Sequence, residues 1–456
     1  MSHIFTSYLR AGSMTLIAKI FAAIASLAEI YFLNLLLGKA EYGAFIYALT
    51  IVLIIGIVVG NPMRSLILYR LSTYKDNVLN TDFFKGMVGV AILVGVIVTL
   101  VIMMIGWQAW IIALAAIAAF EIIRVTLCSG LQAAHNIPAM TFFNTLLPYA
   151  MRMAALIILT IGGLNTIPNI ATAYMIAFVI PIIAVAARYK IYPKFICAPF
   201  VSADLWYGLK IMLTQLVHQN ARFIDVILIG SIGLMTATAD YVVALKFATL
   251  LLIGKQLTQG LITPRMASGH VEPEFATARF FEIIICIGGI IGFTCIGGYI
   301  LPLFGDYAIV QSLFFLCAAS MMPRVMTGCA AEFLSMKGHA GWVFIASLMT
   351  LIFTFAVAWV LIPIYGAIGS GITAIIGASI ANIILWIGAI KTEKFNTINR
   401  GDFTAGLLVT VICIAIGLQF ITTIIGAIFI ALIFILYLVY NRTYIIQLRD
   451  FIHARI

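Results

Sequence analysis

Charge is what this chain most lacks. Asp, Glu, Lys and Arg together make up 9% of its 456 residues, while 64% are hydrophobic. A soluble domain turns roughly 25% charged residues toward water, and this composition cannot supply such a surface. Paired cysteines are lacking too. The seven cysteines are scattered without a C-x-x-C spacing, most of them in apolar runs. They read as small buried hydrophobes, which leaves no disulfide framework and no metal site. Alternating ten-residue strands are missing, so the apolar content belongs to helices and not to a barrel. The start, MSHIFTSYLR, runs into an apolar segment without a small-residue cleavage site and predicts no cleavable signal peptide. Neither a nucleophile–base constellation nor a nucleotide motif stands out, which argues against an enzyme.

What the chain has is a series of long apolar runs. They predict an all-α polytopic membrane protein with about 14 transmembrane helices, at 14–37, 43–69, 86–106, 109–133, 139–162, 168–187, 205–233, 236–263, 280–301, 308–335, 341–362, 366–390, 404–418 and 421–440. With the N-terminus in the cytoplasm, most loop Lys and Arg residues, from Arg10 through Arg279 to Arg455, fall on the inside. The outer loops keep only Lys39. Both termini are therefore expected in the cytoplasm. The net charge of +10 reflects this bias and calls for no nucleic-acid partner. Gly417-Leu418-Gln419 reads as the turn that divides 404–440 into two short spans.

The two halves echo each other at an offset of about 200 residues. Ala40-Glu41-Tyr42 matches Ala239-Asp240-Tyr241, Pro62-Met63-Arg64 resembles Pro264-Arg265, and Arg124-Val125 matches Arg324-Val325. The echoes predict two six-helix lobes, 1–200 and 201–400, related by an axis along the membrane normal. Residues 401–456 would add a helix pair and a tail.

The seventh run, Leu205 to Gly233, opens the second half. At about 100° per residue, Gln215, His218, Arg222 and Asp225 share one face. Such a stripe needs a protein interior or a watery cavity. Elsewhere the apolar segments hold Lys19, Arg64, Arg124, Arg152, Lys210, Lys246, Lys255 and Arg324, against Glu29, Glu121, Glu282 near an interface, and Glu332. Glu121–Arg124 and Arg222–Asp225 are spaced i, i+3, so local neutralisation competes with a ligand role. Lys19, Lys210 and Arg64 lie toward cytoplasmic ends, where snorkelling is the plain alternative. The excess is basic. It implies a cationic cavity for an anion, with Arg64, Arg124, Arg152, Arg222, Lys246, Lys255 and Arg324 as candidate ligands. Glu29, Asp225 and His218 are candidates for coupling to a proton or sodium gradient, and structural salt bridges are the alternative for the two acids. No other cofactor is implied.

Ala11-Gly12-Ser13 through Lys19, Leu37-Gly38-Lys39-Ala40-Glu41-Tyr42-Gly43, Arg64 with Arg70, and Arg222-Phe223-Ile224-Asp225-Val226-Ile227-Leu228-Ile229-Gly230 carry a family resemblance over residues 5–390. The chain resembles the multidrug/oligosaccharidyl-lipid/polysaccharide (MOP) exporter superfamily and, within it, bacterial polysaccharide flippases of the O-antigen (Wzx) type. The resemblance implies two MATE-like six-helix bundles working by alternating access. It implies an undecaprenyl-diphosphate-linked oligosaccharide as substrate and residence in the bacterial inner membrane. It also implies membrane lipids, a glycan polymerase and chain-length proteins as partners of a monomeric protein. The extra C-terminal pair keeps lipid II and teichoic-precursor flippases in view, with a drug/cation antiporter of the same fold as a further alternative.

Overall fold

In lipid, every backbone N–H and C=O must find its partner inside the chain, and a helix does this within one segment. The computed structural model describes residues 2–71, 78–104, 109–134, 136–195, 202–256, 258, 272–304, 309–393 and 400–442, with the side chains of Lys19, Lys210 and Arg222 outside the description. Among the described residues there is no strand, and fourteen helical segments stand where the apolar runs predict them. Eleven of these are long and apolar enough to cross a membrane. The helix Val310–Met326 is apolar but shorter, and the two helices that carry Asp225 and Lys246 complete the set. The chain is a multi-pass membrane protein.

The first of two units runs from Met1 to Phe223. It contains α1 (Ser2–Leu37), α2 (Lys39–Leu71), α3 (Asp82–Met103) and α4 (Ala109–Ala133). The fifth segment is interrupted: α5 (Ile137–Thr141) passes through a π turn (Phe142–Leu146) into α6 (Leu147–Gly162). Then come α7 (Ile167–Tyr189) and most of α8 (Ser202–Ser231). Helix α4 is the centre, since α2, α3 and α7 all pack on it. Its inner face is built from Leu114, Ala115, Ile117, Ala118 and Ile122, all essentially inaccessible.

The second unit runs from Ile224 to the end of the chain. After the last residues of α8 it holds α9 (Met235–Leu250), α10 (Glu272–Ile300), α11 (Val310–Met326), a short α12 (Ala330–Met336), α13 (Ala340–Tyr365) and α14 (Ala367–Glu393). Two further helices, α15 (Arg400–Gly417) and α16 (Thr423–Tyr440), follow. They turn at Gln419, whose φ is +61°, and the Thr422 hydroxyl caps the start of α16 by accepting from Ile425 N–H. Here α11 is the centre, packed by α9, α10, α14 and α15.

Polar chemistry ties the C-terminal pair to this unit. Arg279, expected in a cytoplasmic loop, lies inside α10, because that helix begins eight residues before the predicted span. Its Nε stands 2.6 Å from Asp402 Oδ2 on α15, and both side chains are buried. Tyr437 on α16 donates to the other oxygen of Asp402 at 2.8 Å and stacks on Phe280. Close approach of α15 to α11 requires glycine: a Cβ at Gly406 would overlap Met326, and one at Gly417 would overlap Leu316.

Removing one partner of a buried ion pair leaves an uncompensated charge, at a cost of about 3–5 kcal/mol. Asp402→Ala should therefore lower stability by that order in denaturant titrations of the detergent-solubilised protein. The double variant Arg279→Met/Asp402→Leu should regain most of the loss, and unchanged stability of Asp402→Ala would contradict the anchoring role.

Candidate functional site

The central helix of each unit carries an arginine at the same place in the internal repeat, Arg124 on α4 and Arg324 on α11. Their surroundings differ. Pro148 has no N–H, so the carbonyl of Asn144, four residues earlier, lacks its helical donor. Arg124 fills the gap, donating from Nη1 to Asn144 O at 2.7 Å and to Asn144 Oδ1 at 2.5 Å. The rest of its fork grips Glu121, with Nε to Oε2 at 2.9 Å and Nη2 to Oε1 at 2.6 Å. That bidentate geometry is the strong form of the carboxylate–guanidinium bond.

Arg152 on α6 is held in the same unit from the far end of the sequence. Its Nη1 donates to Glu29 Oε1 on α1 at 3.1 Å, and the Tyr174 hydroxyl on α7 donates to the same oxygen at 2.6 Å. The Tyr149 ring lies 4.3 Å from the guanidinium carbon, within cation–π range. Three helices are thus joined at one buried carboxylate. Arg64 on α2 has only a neutral acceptor among the described residues, Gln132 Oε1 at 3.0 Å. On α8, Gln215 accepts from Asn61 at 3.0 Å, His218 is exposed, and the side chain of Arg222 is outside the described ones.

In the second unit the acid is Asp225 on α8, 5% exposed. Its described donors are neutral: the Tyr241 hydroxyl and the Val226 N–H at 3.0 Å. Arg324 is within electrostatic reach of Asp225 and Tyr241. Among the described residues its guanidinium makes neither an ion pair nor a hydrogen bond. Lys246 on α9 is likewise without a side-chain partner. Lys255 uses its ammonium on a backbone carbonyl, Arg324 O, at 2.9 Å.

Sequence accounts for this asymmetry. Met321 stands one turn before Arg324, where Glu121 stands before Arg124. The stretch 350–354, TLIFT, has no charge where the first half carries Arg152. The repeat has therefore kept the central arginine and lost its neutralising partners. The structure brings together Glu29 with Arg152, Glu121 with Arg124, and Lys255 with the backbone of Arg324. It leaves Arg64, Lys246, Lys255 and Arg324 without a carboxylate partner among the described residues. Sequence reading missed Tyr174 and Tyr241 as partners of the two acids. The duplicated Glu-Tyr and Asp-Tyr pair, at Tyr42 and Tyr241, was the signal available for the second.

Two helical units built around arginine-bearing central helices, with charges buried among apolar spans, define an all-α polytopic membrane protein. No family model and no curated protein matches the sequence. Solved structures do share its fold. The lipid II flippase MurJ, in an inward closed conformation, matches with a TM-score of 0.72 over 95% of this chain and 99% of its own, at 14% identity. An outward-facing multidrug resistance MATE transporter matches with a TM-score of 0.61 over 85% of this chain and 95% of its own, also at 14% identity. A MOP superfamily transporter from Pyrococcus furiosus, described by the reverse polarity of its binding pocket, reaches 0.57 over 84% and 94% at 15% identity. The chain has the fold of the MOP superfamily, whose solved members here are transporters and flippases.

Hydrogen bonds to charged groups contribute about 1.5–3 kcal/mol each. Tyr174→Phe and Tyr241→Phe should each lose an amount of that order in equilibrium unfolding, because Glu29 and Asp225 stay buried without the hydroxyl. Neutral behaviour of both variants would show that the two tyrosines do not hold the acids.

Proposed function

We propose that the protein is a flippase for an undecaprenyl-diphosphate-linked oligosaccharide, the repeat unit of O-antigen or another surface polysaccharide. It would move the head group from the inner to the outer leaflet of the bacterial inner membrane by alternating access. The observation that carries this reading is the set Lys246, Lys255 and Arg324, three cations at membrane depth with no carboxylate partner among the described residues. Charges there are costly unless they serve a ligand or pathway. A diphosphate is a ligand whose charge matches them, and guanidinium suits phosphate geometry. Arg64 in the first unit, which also has no carboxylate partner among the described residues, and Arg222, from sequence alone, are further candidate cations. Arg124 and Arg152 act in this account as the bolts of their unit. Likeness to a lipid II flippase supports a lipid-linked substrate, and lipid II or a teichoic precursor stands as the alternative cargo. Both termini face the cytoplasm, and a glycan polymerase and chain-length proteins consume the product.

Asp225 is the favoured coupling residue for a proton or sodium gradient, since its described donors are neutral while Glu29 already serves Arg152. The same acid supports a second reading, a drug or cation antiporter.

Reconstituted protein with fluorescent undecaprenyl-diphosphate oligosaccharide separates the two. Outer-leaflet appearance, read with a membrane-impermeant quencher, should be lost in Arg324→Ala and in Arg222→Ala while both variants still insert. Full activity of both, or efflux of cationic dyes without lipid translocation, would overturn the flippase reading.

A further inference from the structure

The link between α7 and α8 is pinned at three points within its described part, residues 190–195. At the end of α7, Lys190 takes φ +51°. Its N–H returns to Ala187 O at 3.4 Å, and the next N–H, of Ile191, reaches back to Ala186 O at 3.0 Å. This pair of bonds closes a helix through a left-handed residue, a place where glycine is most at ease. Ile191 is then buried, 4% exposed, in a core cluster with Phe84 and Met87 of α3. Three residues on, Lys194 N–H donates to Lys85 O at 3.0 Å, and the Lys194 carbonyl lies where a Cβ on Gly89 would stand. The Lys194 ammonium holds Asp82 at 2.6 Å.

Held this way, the link is a strap over the base of α3 that turns two kinds of side chain outward. Tyr192 is 69% exposed and Phe195 62%. Arg188 and Lys190 are exposed as well, and neither has a carboxylate within ion-pair distance among the described residues. Along α7, Ile176, Ile180, Ile183 and Ala187 share one face, and all four are exposed. From Ile176 to Ala187 that face rises about 16 Å, close to the hydrocarbon depth of one leaflet. A lipid-length apolar stripe therefore ends at two cations flanked by aromatic side chains. A phospholipid matches this profile part by part: acyl chain on the stripe, phosphate at the cations, aromatic rings at headgroup level. A soluble acidic partner would leave the isoleucine stripe unused. Lysine at a left-handed position, where glycine is less strained, places one of the cations there in spite of a conformational cost.

We propose that the strap and the outward face of α7 bind an anionic phospholipid, its acyl chain along Ile176, Ile180 and Ile183 and its phosphate at Arg188 and Lys190. This site does not depend on what the protein transports.

The test uses the full chain in nanodiscs that mix phosphatidylglycerol and phosphatidylcholine in varied ratio, with bromine on the acyl chains of one lipid at a time. Tyr192→Trp supplies a reporter, and Tyr192→Phe measured alongside removes the signal of the six native tryptophans. The reporter should be quenched more by brominated phosphatidylglycerol than by the brominated choline lipid. Loss of either cation should cut the relative affinity for the anionic lipid by about fivefold. Arg188→Gln removes one, and Lys190→Gly removes the other while relaxing the backbone, so the fold is kept. Lys190→Arg should retain the preference, and added salt should weaken it. Equal quenching by the two lipids overturns the site, as does a preference that survives the loss of both cations. Little quenching by either lipid would put the strap in water or against a soluble partner and overturn it too.

Discussion

A charge without a partner in the hydrocarbon region costs at least about 2.5 kcal/mol, and this one cost organises the protein. Where the chain keeps an ionisable residue on a membrane helix, it either surrounds it with partners or leaves it with none among the described residues. Glu121, Arg124 and Asn144 are the first kind, as are Glu29, Arg152 and Tyr174. Arg279, Asp402 and Tyr437 do the same for the C-terminal pair. Lys246 and Arg324 are the second kind.

The internal duplication turns this into a comparison of two versions of one design. Both units are built on a central helix with an arginine in register. In the first, Glu121 on the same helix and a carbonyl exposed by Pro148 absorb every donor of the Arg124 fork. In the second, Met321 replaces the acid, and the Pro323–Arg324 end of α11 presents carbonyls that Lys255 and Thr327 occupy. A change of residue type one turn away thus accompanies the difference between an arginine gripped by a carboxylate and one with no carboxylate partner among the described residues. The divergence also concentrates unpaired acids and bases in the second unit, where Asp225 and Glu282 have neutral hydrogen-bond donors among the described residues.

The helical segments and the two-part plan were legible in the sequence because each depends on local quantities: run length and a constant offset. Partner choice was not legible. Glu29 and Arg152 are 123 residues apart, and only the packing of α1 on α6 brings them together. Arg279 was read as a loop residue because a lone cation at the end of an apolar run normally marks the membrane boundary; its buried partner, Asp402, lies on a helix whose docking no local pattern announces. Pro148 was visible as a helix proline, but its consequence, a carbonyl released to a guanidinium on α4, belongs to tertiary structure.

The most direct test of the division between bolted and free cations is to remove one of each and compare unfolding in the absence of any ligand. Arg152→Met strands a buried carboxylate and should cost about 3–5 kcal/mol. Arg324→Met strands nothing within hydrogen-bond distance and should leave stability unchanged or raised. Equal destabilisation by the two substitutions would mean that Arg324 is held as tightly as Arg152, and the distinction on which the functional account stands would fail.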